Sequence, residues 1–428
     1  MATTPEAGFP CFVLGPRNPS LSQSSNIAAR PPATPWGLVI LLGALTAFAP
    51  MSIDMYLPAL PQLGRALEAT PEATQLTLST FLLGMAIGQF LYGPASDRFG
   101  RRTPILVGIA VYVAASVWCA LTTSVEGLQL ARFVQALGGC AGAVVARAVV
   151  RDQFNHTETA RVLSLLTLVM GIAPIVAPAL GSWVLLVADW RMIFWILALF
   201  GLACGAAVFL RLRESRSDET AAQARSESPA QAFAALLRER RLLGYALGGA
   251  LNGAVLFTYI SSSSELVITI YGHTPQAFGW IFGVNAVGVI GASQVNRMLL
   301  RRLSPDDVLR RASLAAITFG LVLTVAAATG FGGQWTVLPL LFCCLASYGL
   351  MAGNTMAGAL SVDPRRAGSI SALMGGLSFG AGALASWAGG ALHNGTALPM
   401  AGVMLGCLLG SAAALWFLAL PKAGQSSS

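Results

Sequence analysis

Asp54, Arg132 and Arg147 are the firm ionisable residues inside the long apolar runs of this sequence. An ionised side chain deep in a bilayer costs about 2.5–3.5 kcal/mol on insertion scales, so it faces a partner or a wet cavity. A carboxyl group held there can load and release a proton, because burial penalises its charged form and a nearby cation favours it. Arg147 is close enough to the end of its run to reach water along its own stem. Asp54 stands four residues before Pro58, where its helix is expected to end, about 6 Å inside that boundary. Arg132 stands five residues after Gly127, about 7 Å inside the same boundary. Matching depth predicts an Asp54–Arg132 pair, direct or through water, with Gln135 on the same face at i+3. Such a pair serves either proton handling or a permanent lock between two helices. Glu265 follows the run Ser261–Ser264. It faces a cavity mouth at the level of Asp54, or it is a solvated loop residue. Tyr56 neighbours Asp54, and Asn252, Tyr259, Asn285, Tyr348 and Asn354 are uncharged polar groups in later runs. They either contact a ligand or hydrogen-bond between helices.

The elements that must hold these groups follow from composition. Of 428 residues, 55% are apolar and 10% charged, against roughly 25% charged in a soluble domain. Mean hydropathy is +0.68. Apolar runs fall near 36–57, 75–93, 104–123, 128–149, 162–187 and 191–210, then near 243–264, 278–296, 312–331, 336–357, 369–391 and 398–419. Each is long enough to cross a bilayer as a helix. This excludes a soluble enzyme, a disordered chain and a secreted disulfide scaffold. The organisation read from the runs is a disordered tail at 1–35, a six-helix bundle at 36–210, a linker at 211–242, a second six-helix bundle at 243–420 and a short tail at 421–428. A short amphipathic helix is expected near Gln231–Arg241, with Phe233, Leu236 and Leu237 on one face.

Arginine placement orients the chain. With the N-terminus inside, inner segments hold 22 basic residues and outer loops hold Arg65 alone. The positive-inside rule then puts both termini in the cytoplasm. The same loops account for the net charge of +8, and no aromatic-interleaved groove for nucleic acid is visible. Six cysteines lie in apolar runs as small core residues, and none has metal-site spacing. His156, His273 and His393 are scattered, and no Walker A sequence occurs. Neither a metal, a cofactor, ATP drive nor enzyme chemistry is expected.

Between the second and third runs stands Gly93-Pro94-Ala95-Ser96-Asp97-Arg98-Phe99-Gly100-Arg101-Arg102. Gly93 and Gly100 permit a tight turn. Asp97 can accept bonds from a helix N-terminus, and Arg98 can pair with Asp152. Arg101 and Arg102 read as topogenic charge. In the fifth run Pro174 and Pro178 remove backbone donors and bend the helix, while Gly181 lets it pack closely. The glycine-rich eleventh run (Gly375, Gly376, Gly380, Gly382, Gly389, Gly390) has a similar character.

The ten-residue segment resembles the G-x-x-x-D-R-x-G-R-R loop motif of the major facilitator superfamily. Arg132-Phe133-Val134-Gln135 resembles the R-x-x-Q region of drug:proton antiporters, and Ala173–Gly181 resembles their helix-5 motif, with Ala177 and Ser182 in place of two glycines. Ile53–Pro61, Arg147–Asp152 and Asp189-Trp190-Arg191 are similar to the bicyclomycin/chloramphenicol-resistance subfamily, whereas Ser263-Ser264-Glu265 departs from it. The resemblance implies an all-α membrane protein of twelve helices in two pseudo-symmetric bundles, multi-pass in the inner (plasma) membrane. It implies a proton-driven, alternating-access exporter of small drug-like compounds, working as a monomer with a cavity between helices 1, 4, 7 and 10. Asp54 and Arg132 would couple protons, and the loop motif with Asp152 would latch the two halves on the inner side. Export or symport of an endogenous metabolite, and a non-transporting sensor or assembly factor, are the other readings of the same sequence.

Overall fold

The computed structural model describes residues 36–216 and 229–420, so the expected tails and residues 217–228 of the linker lie outside the described residues. Twelve helices are long and apolar enough to cross a membrane. They are α1 Trp36–Ala66, α2 Pro71–Phe99, α3 Arg102–Leu121, α4 Val125–Gln153, α5 Thr157–Val184, α6 Trp190–Arg211, α7 Arg240–Ile270, α8 Pro275–Leu299, α9 Pro305–Thr329, α10 Gln334–Val362, α11 Ala367–Ala391 and α12 Leu398–Ala419. No strand occurs among the described residues. The membrane explains why: without water, a lone segment must satisfy its own backbone groups, and a helix does so.

The helix starts are written locally. Thr70, Ser124, Asn155, Thr274 and Ser304 each cap a helix by accepting a hydrogen bond from a backbone N–H three residues on. Proline follows the cap in α2, α8 and α9, where its missing N–H is no loss.

α1 is continuous in apolarity but not in geometry. Its helical pieces are Trp36–Thr46, Phe48–Asp54, a 3₁₀ turn at Leu57–Ala59 and Leu60–Ala66. Pro50, Pro58 and Pro61 punctuate these pieces, each removing one backbone donor. The expected end at Pro58 is therefore corrected. Pro58 and Pro61 sit in the first turns of new pieces, where proline is tolerated, and the helix runs on to Ala66. Asp54 lies twelve residues before that end, about 18 Å of rise, so it belongs to the middle of α1 and not to its rim.

In the first bundle α4 packs between α2 and α3, and α6 packs on α3; in the second, α7 packs on α10, α11 and α12. The bundles meet along α2–α11 and α5–α8, and the break in α1 meets α7 and α8. Between the bundles a helix runs Pro229–Leu236, shorter than the expected Gln231–Arg241 because α7 begins at Arg240. Phe233 meets Phe90 edge-on at 5.4 Å and Leu236 is buried, whereas Leu237 is exposed.

Candidate functional site

Arg132 is wholly buried inside the first bundle. Its guanidinium donates to Gln135 Oε1 at 2.6 Å and to the carbonyl oxygen of Ser52 at 2.9 Å. It lies 4.2 Å from the ring centroids of both Tyr56 and Phe81, close enough for cation–π attraction in a dry setting. The network continues outward. Gln135 Nε2 donates to Ser116 Oγ at 2.8 Å, and the Ser52 hydroxyl meets the Tyr112 hydroxyl at 2.7 Å. Tyr56 also meets Thr77 Oγ1 at 3.2 Å. This ties α1, α2, α3 and α4 together.

Asp54 is not part of that network, which corrects the expected Asp54–Arg132 pair. Successive helical residues turn by about 100°, so Ser52 and Asp54 point about 200° apart. The Ser52 hydroxyl turns to Tyr112 of α3, so the Asp54 side chain turns away from α3. It is 2% exposed, and its Oδ1 has no hydrogen-bond partner. It lies within electrostatic reach of Tyr259 on α7. Tyr259 is buried, stacks on Phe282 of α8 with centroids 5.5 Å apart, and accepts a hydrogen bond from Asn285 Nδ2 at 2.8 Å.

The other polar candidates separate. Asn252 is buried with neither amide atom partnered. It precedes Tyr259 by seven residues, two turns along the same face of α7. Asn354 donates to Asn296 Oδ1 of α8 at 2.9 Å and to the carbonyl of Leu350, an interhelical tie. Glu265 belongs to a π-helical turn, Glu265–Ile270, that extends α7. It is six residues beyond Tyr259, about 9 Å of rise, so it is neither level with Asp54 nor a loop residue. It lines a cleft of about 180 Å³ with Arg65, Gln75 and Ser261, and its Oε1 is 3.9 Å from His393 Nε2.

At the other end, the loop motif differs from expectation in who pairs with whom. Arg101, not Arg98, joins the acids: its guanidinium donates to Asp152 Oδ2 at 2.7 Å and also to Asp97 and Ser96. Arg101 is 3% exposed, so it is a buried partner of acids on α2 and α4 and not simply topogenic charge, and its bonds stay within the first bundle and the start of the linker instead of joining the two halves. Arg98 contributes its carbonyl, which accepts from Arg216 at 2.6 Å. The role of acceptor at a helix N-terminus falls to Glu214, not Asp97. Glu214 takes the backbone N–H groups of Arg101 and Arg102 at 2.8 and 3.2 Å, and those of Ser215 and Arg216. Burial pushes this carboxyl up, but the four backbone donors outweigh burial and hold it below its ordinary range. Gly100 turns the chain with φ of +90°, and a Cβ there would lie 2.5 Å from Glu214 Oε2. Gly93 sits inside α2 with open space around it, so it makes no turn. Arg102 donates to the carbonyl of Phe209 at 2.7 Å.

Pro174 and Pro178 lie within α5. Gly181 seats α5 on the break in α1, since a Cβ there would meet the Met55 carbonyl oxygen within bonding distance. Ser182, in the place of a glycine, shares its hydroxyl between the Pro178 and Pro275 carbonyls, at 2.7 and 2.8 Å, linking α5 to α8. Ser52, Tyr112, Ser116 and Glu214 join the site although their sequence context singles them out weakly or not at all. Glu214 had a usable signal, an acid directly after Arg211 and Arg213. The hydroxyl groups had none, since serine is common in membrane helices.

Comparison with known proteins agrees with this architecture. The model of the Major Facilitator Superfamily matches residues 42–386. "Uncharacterized MFS-type transporter YdgK" of Bacillus subtilis (strain 168) is 33% identical over 393 residues, covering 91% of this chain and 97% of that one. "Bicyclomycin resistance protein homolog" of Haemophilus influenzae (strain ATCC 51907 / DSM 11121 / KW20 / Rd) is 32% identical over 380 residues, covering 89% and 95%. "Multidrug resistance protein MdtL" of Escherichia coli (strain K12) is 28% identical over 376 residues, covering 88% and 94%. Among solved structures, the D-xylose-proton symporter superposes with a TM-score of 0.69 at 13% identity, covering 90% of this chain and 98% of that one, a likeness of fold. Twelve apolar spans in two bundles, the charge cluster around Arg101 and this match over most of the chain lead to one conclusion: the chain belongs to the Major Facilitator Superfamily, as a multi-pass membrane transporter.

Proposed function

We propose that this transporter exports small, partly hydrophobic compounds in exchange for protons by alternating access, with Asp54 as the proton-carrying group. The observation that carries the reading is the Asp54 carboxyl, buried at a break in α1 and with one oxygen unpartnered. A buried carboxylate without donors is costly, which suits a group that carries a proton in one conformation and gives it up in another. Rocking of the bundles changes that environment and releases the proton. The membrane potential supplies about 2.3 kcal/mol per charge per 100 mV, and a pH gradient adds to it. The unpartnered amide of Asn252, on the same face of α7 as Tyr259, supports a ligand path along α7. The names of two relatives, a bicyclomycin resistance protein homolog and a multidrug resistance protein, support drug-like substrates. The arginine distribution supports a cytoplasmic loop after α2 and cytoplasmic termini.

The test is transport in vesicles driven by a pH step, comparing the wild type with Asp54→Asn. Proton movement opposed to the substrate marks exchange, and movement with it marks symport. The expected result is exchange in the wild type and at least a tenfold loss of pH-driven exchange in the variant. Unchanged exchange would remove Asp54 from the mechanism.

A further inference from the structure

At the end of the molecule opposite the α2–α3 loop, the cleft of about 180 Å³ lies between the bundles. Leu60, Pro61 and Arg65 of α1 and Gln75 of α2 line it from the first bundle, and Glu265 of α7 lines it from the second. Arg65 and Glu265 are the charged residues of its wall. Gly64 draws the end of α1 onto α2, since a Cβ there would lie 3.2 Å from Thr74 Oγ1, so Arg65 and Gln75 belong to one wall. Glu265 opens the π-helical turn Glu265–Ile270 on the other, a geometry that recurs at functional sites.

Three polar side chains of this cleft are uncommitted. Gln75 is 4% exposed, and its Oε1 accepts no hydrogen bond. A buried acceptor left without a donor is costly. The Glu265 carboxylate takes no hydrogen bond among the described residues, and His393 Nε2, at 3.9 Å, is too far to give one. Arg65 is exposed and has no ion pair among the described residues, so it does not close the cleft onto Glu265. Between the charges the wall is apolar at Leu60 and Pro61. A cavity of about 150 Å³ holds a benzene ring, so the cleft admits a body of about that size with polar ends.

We propose that this cleft is a substrate subsite for small dipolar compounds: Glu265 and Gln75 Oε1 hold a protonated amine, Arg65 holds a carboxylate, and the apolar body lies against Leu60 and Pro61. An ammonium group has three donors and no acceptor, which matches two open acceptors. A guanidinium offers forked donors to a carboxylate. Acid and base sit on opposite bundles, so a ligand with both charges bridges them, and a ligand with one charge engages one wall. The subsite rests on the proposed export of small, partly hydrophobic compounds and names their class.

The experiment is equilibrium binding to the purified full-length protein of three probes that share a phenylethyl body. They are phenylalanine with both charges, phenethylamine with the amine alone and 3-phenylpropanoate with the carboxylate alone. The wild type should bind phenylalanine most tightly. Glu265→Gln should weaken both amines by about tenfold to a hundredfold relative to 3-phenylpropanoate, the loss expected for a hydrogen bond to a charged group. Arg65→Gln should weaken both carboxylates relative to phenethylamine by about threefold, less because Arg65 is open to water. Gln75→Leu keeps a side chain of similar bulk and removes the acceptor. It should weaken the amines about three- to tenfold relative to 3-phenylpropanoate, and it carries the test if the Glu265 variant does not fold. Equal weakening of all three probes by the Glu265 and Arg65 variants would mark a gating ion pair and overturn the subsite. So would no weakening, or a wild type that binds the three probes alike or binds none. Any of these, with Asp54→Asn inactive in pH-driven exchange, overturns this inference alone. Full pH-driven exchange in Asp54→Asn overturns the proposed function and leaves the binding result in place.

Discussion

Arg132 is held by shape as much as by charge. Its planar guanidinium fits between two rings at 4.2 Å while donating in two directions. A lysine ammonium is a point charge that cannot reproduce this stacked, forked geometry. Arg132→Lys should therefore lose at least tenfold in substrate efflux from cells while reaching the membrane in wild-type amount, whereas equal efflux would show that charge alone suffices. Asp54 and Arg132 were both legible in the sequence, because an ionisable residue in an apolar run announces itself. Their separation was not. Depth follows from counting residues, but the direction a side chain faces depends on which neighbours the helix finds. The two-residue offset between Ser52 and Asp54 turns the first side chain toward α3 and the second away from it. Exchanging Arg98 for Arg101 as the partner of Asp152 is a failure of the same kind, since spacing nominates a basic residue near an acid and packing selects which one.

Two glycines in the motifs have opposite prospects. Gly181 abuts the Met55 carbonyl where α5 crosses the break in α1, and Gly93 faces open space. Gly181→Ala should sharply lower both the yield of folded protein and its transport, while Gly93→Ala should be neutral in both. Similar behaviour of the two would contradict the close approach. Glu214 closes the turn at Gly100 by accepting four backbone N–H bonds. Its carboxyl titrates below the ordinary glutamate range. The stability it lends is complete above its unfolded value and is lost as pH falls through the lowered folded one. Hydrogen exchange at the amides of Arg101 and Arg102 should thus stay slow from about pH 7 to about pH 5 after correction for intrinsic rates, and Glu214→Gln should speed it across that whole range. Fast exchange in the wild type at neutral pH would contradict this. Twelve spans were readable from run length, because the bilayer demands about 20 apolar residues from each. The α1 break was not, since proline reads equally as a stop or as the first turn of a new piece. The Leu57–Ala59 turn resolves it toward continuation.

At the scale of the molecule, two bundles touch along α2–α11 and α5–α8, with the α1 break against α7 and α8 between them. Ser182 and Gln276 link α5 to α8 through backbone carbonyls, and the charge cluster around Arg101 knits α2, α3, α4 and the start of the linker. Asp54 ends the helical piece just before the α1 break, and under the proposed function a change in its charge acts on the interface that must open and close. The two-bundle plan was visible in the six-plus-six pattern of runs, but which faces of α1 and α7 meet was not, because both helices are apolar on most sides. The central claim is that this one carboxyl exchanges its proton for substrate. The direct measurement is proton release on adding substrate to purified protein in weakly buffered detergent, followed with a pH indicator. Wild-type protein should release a proton on binding, with a yield that falls as the starting pH rises, and Asp54→Asn should release none while still binding. Equal release from the variant, or none from a wild type that binds substrate, would contradict the account.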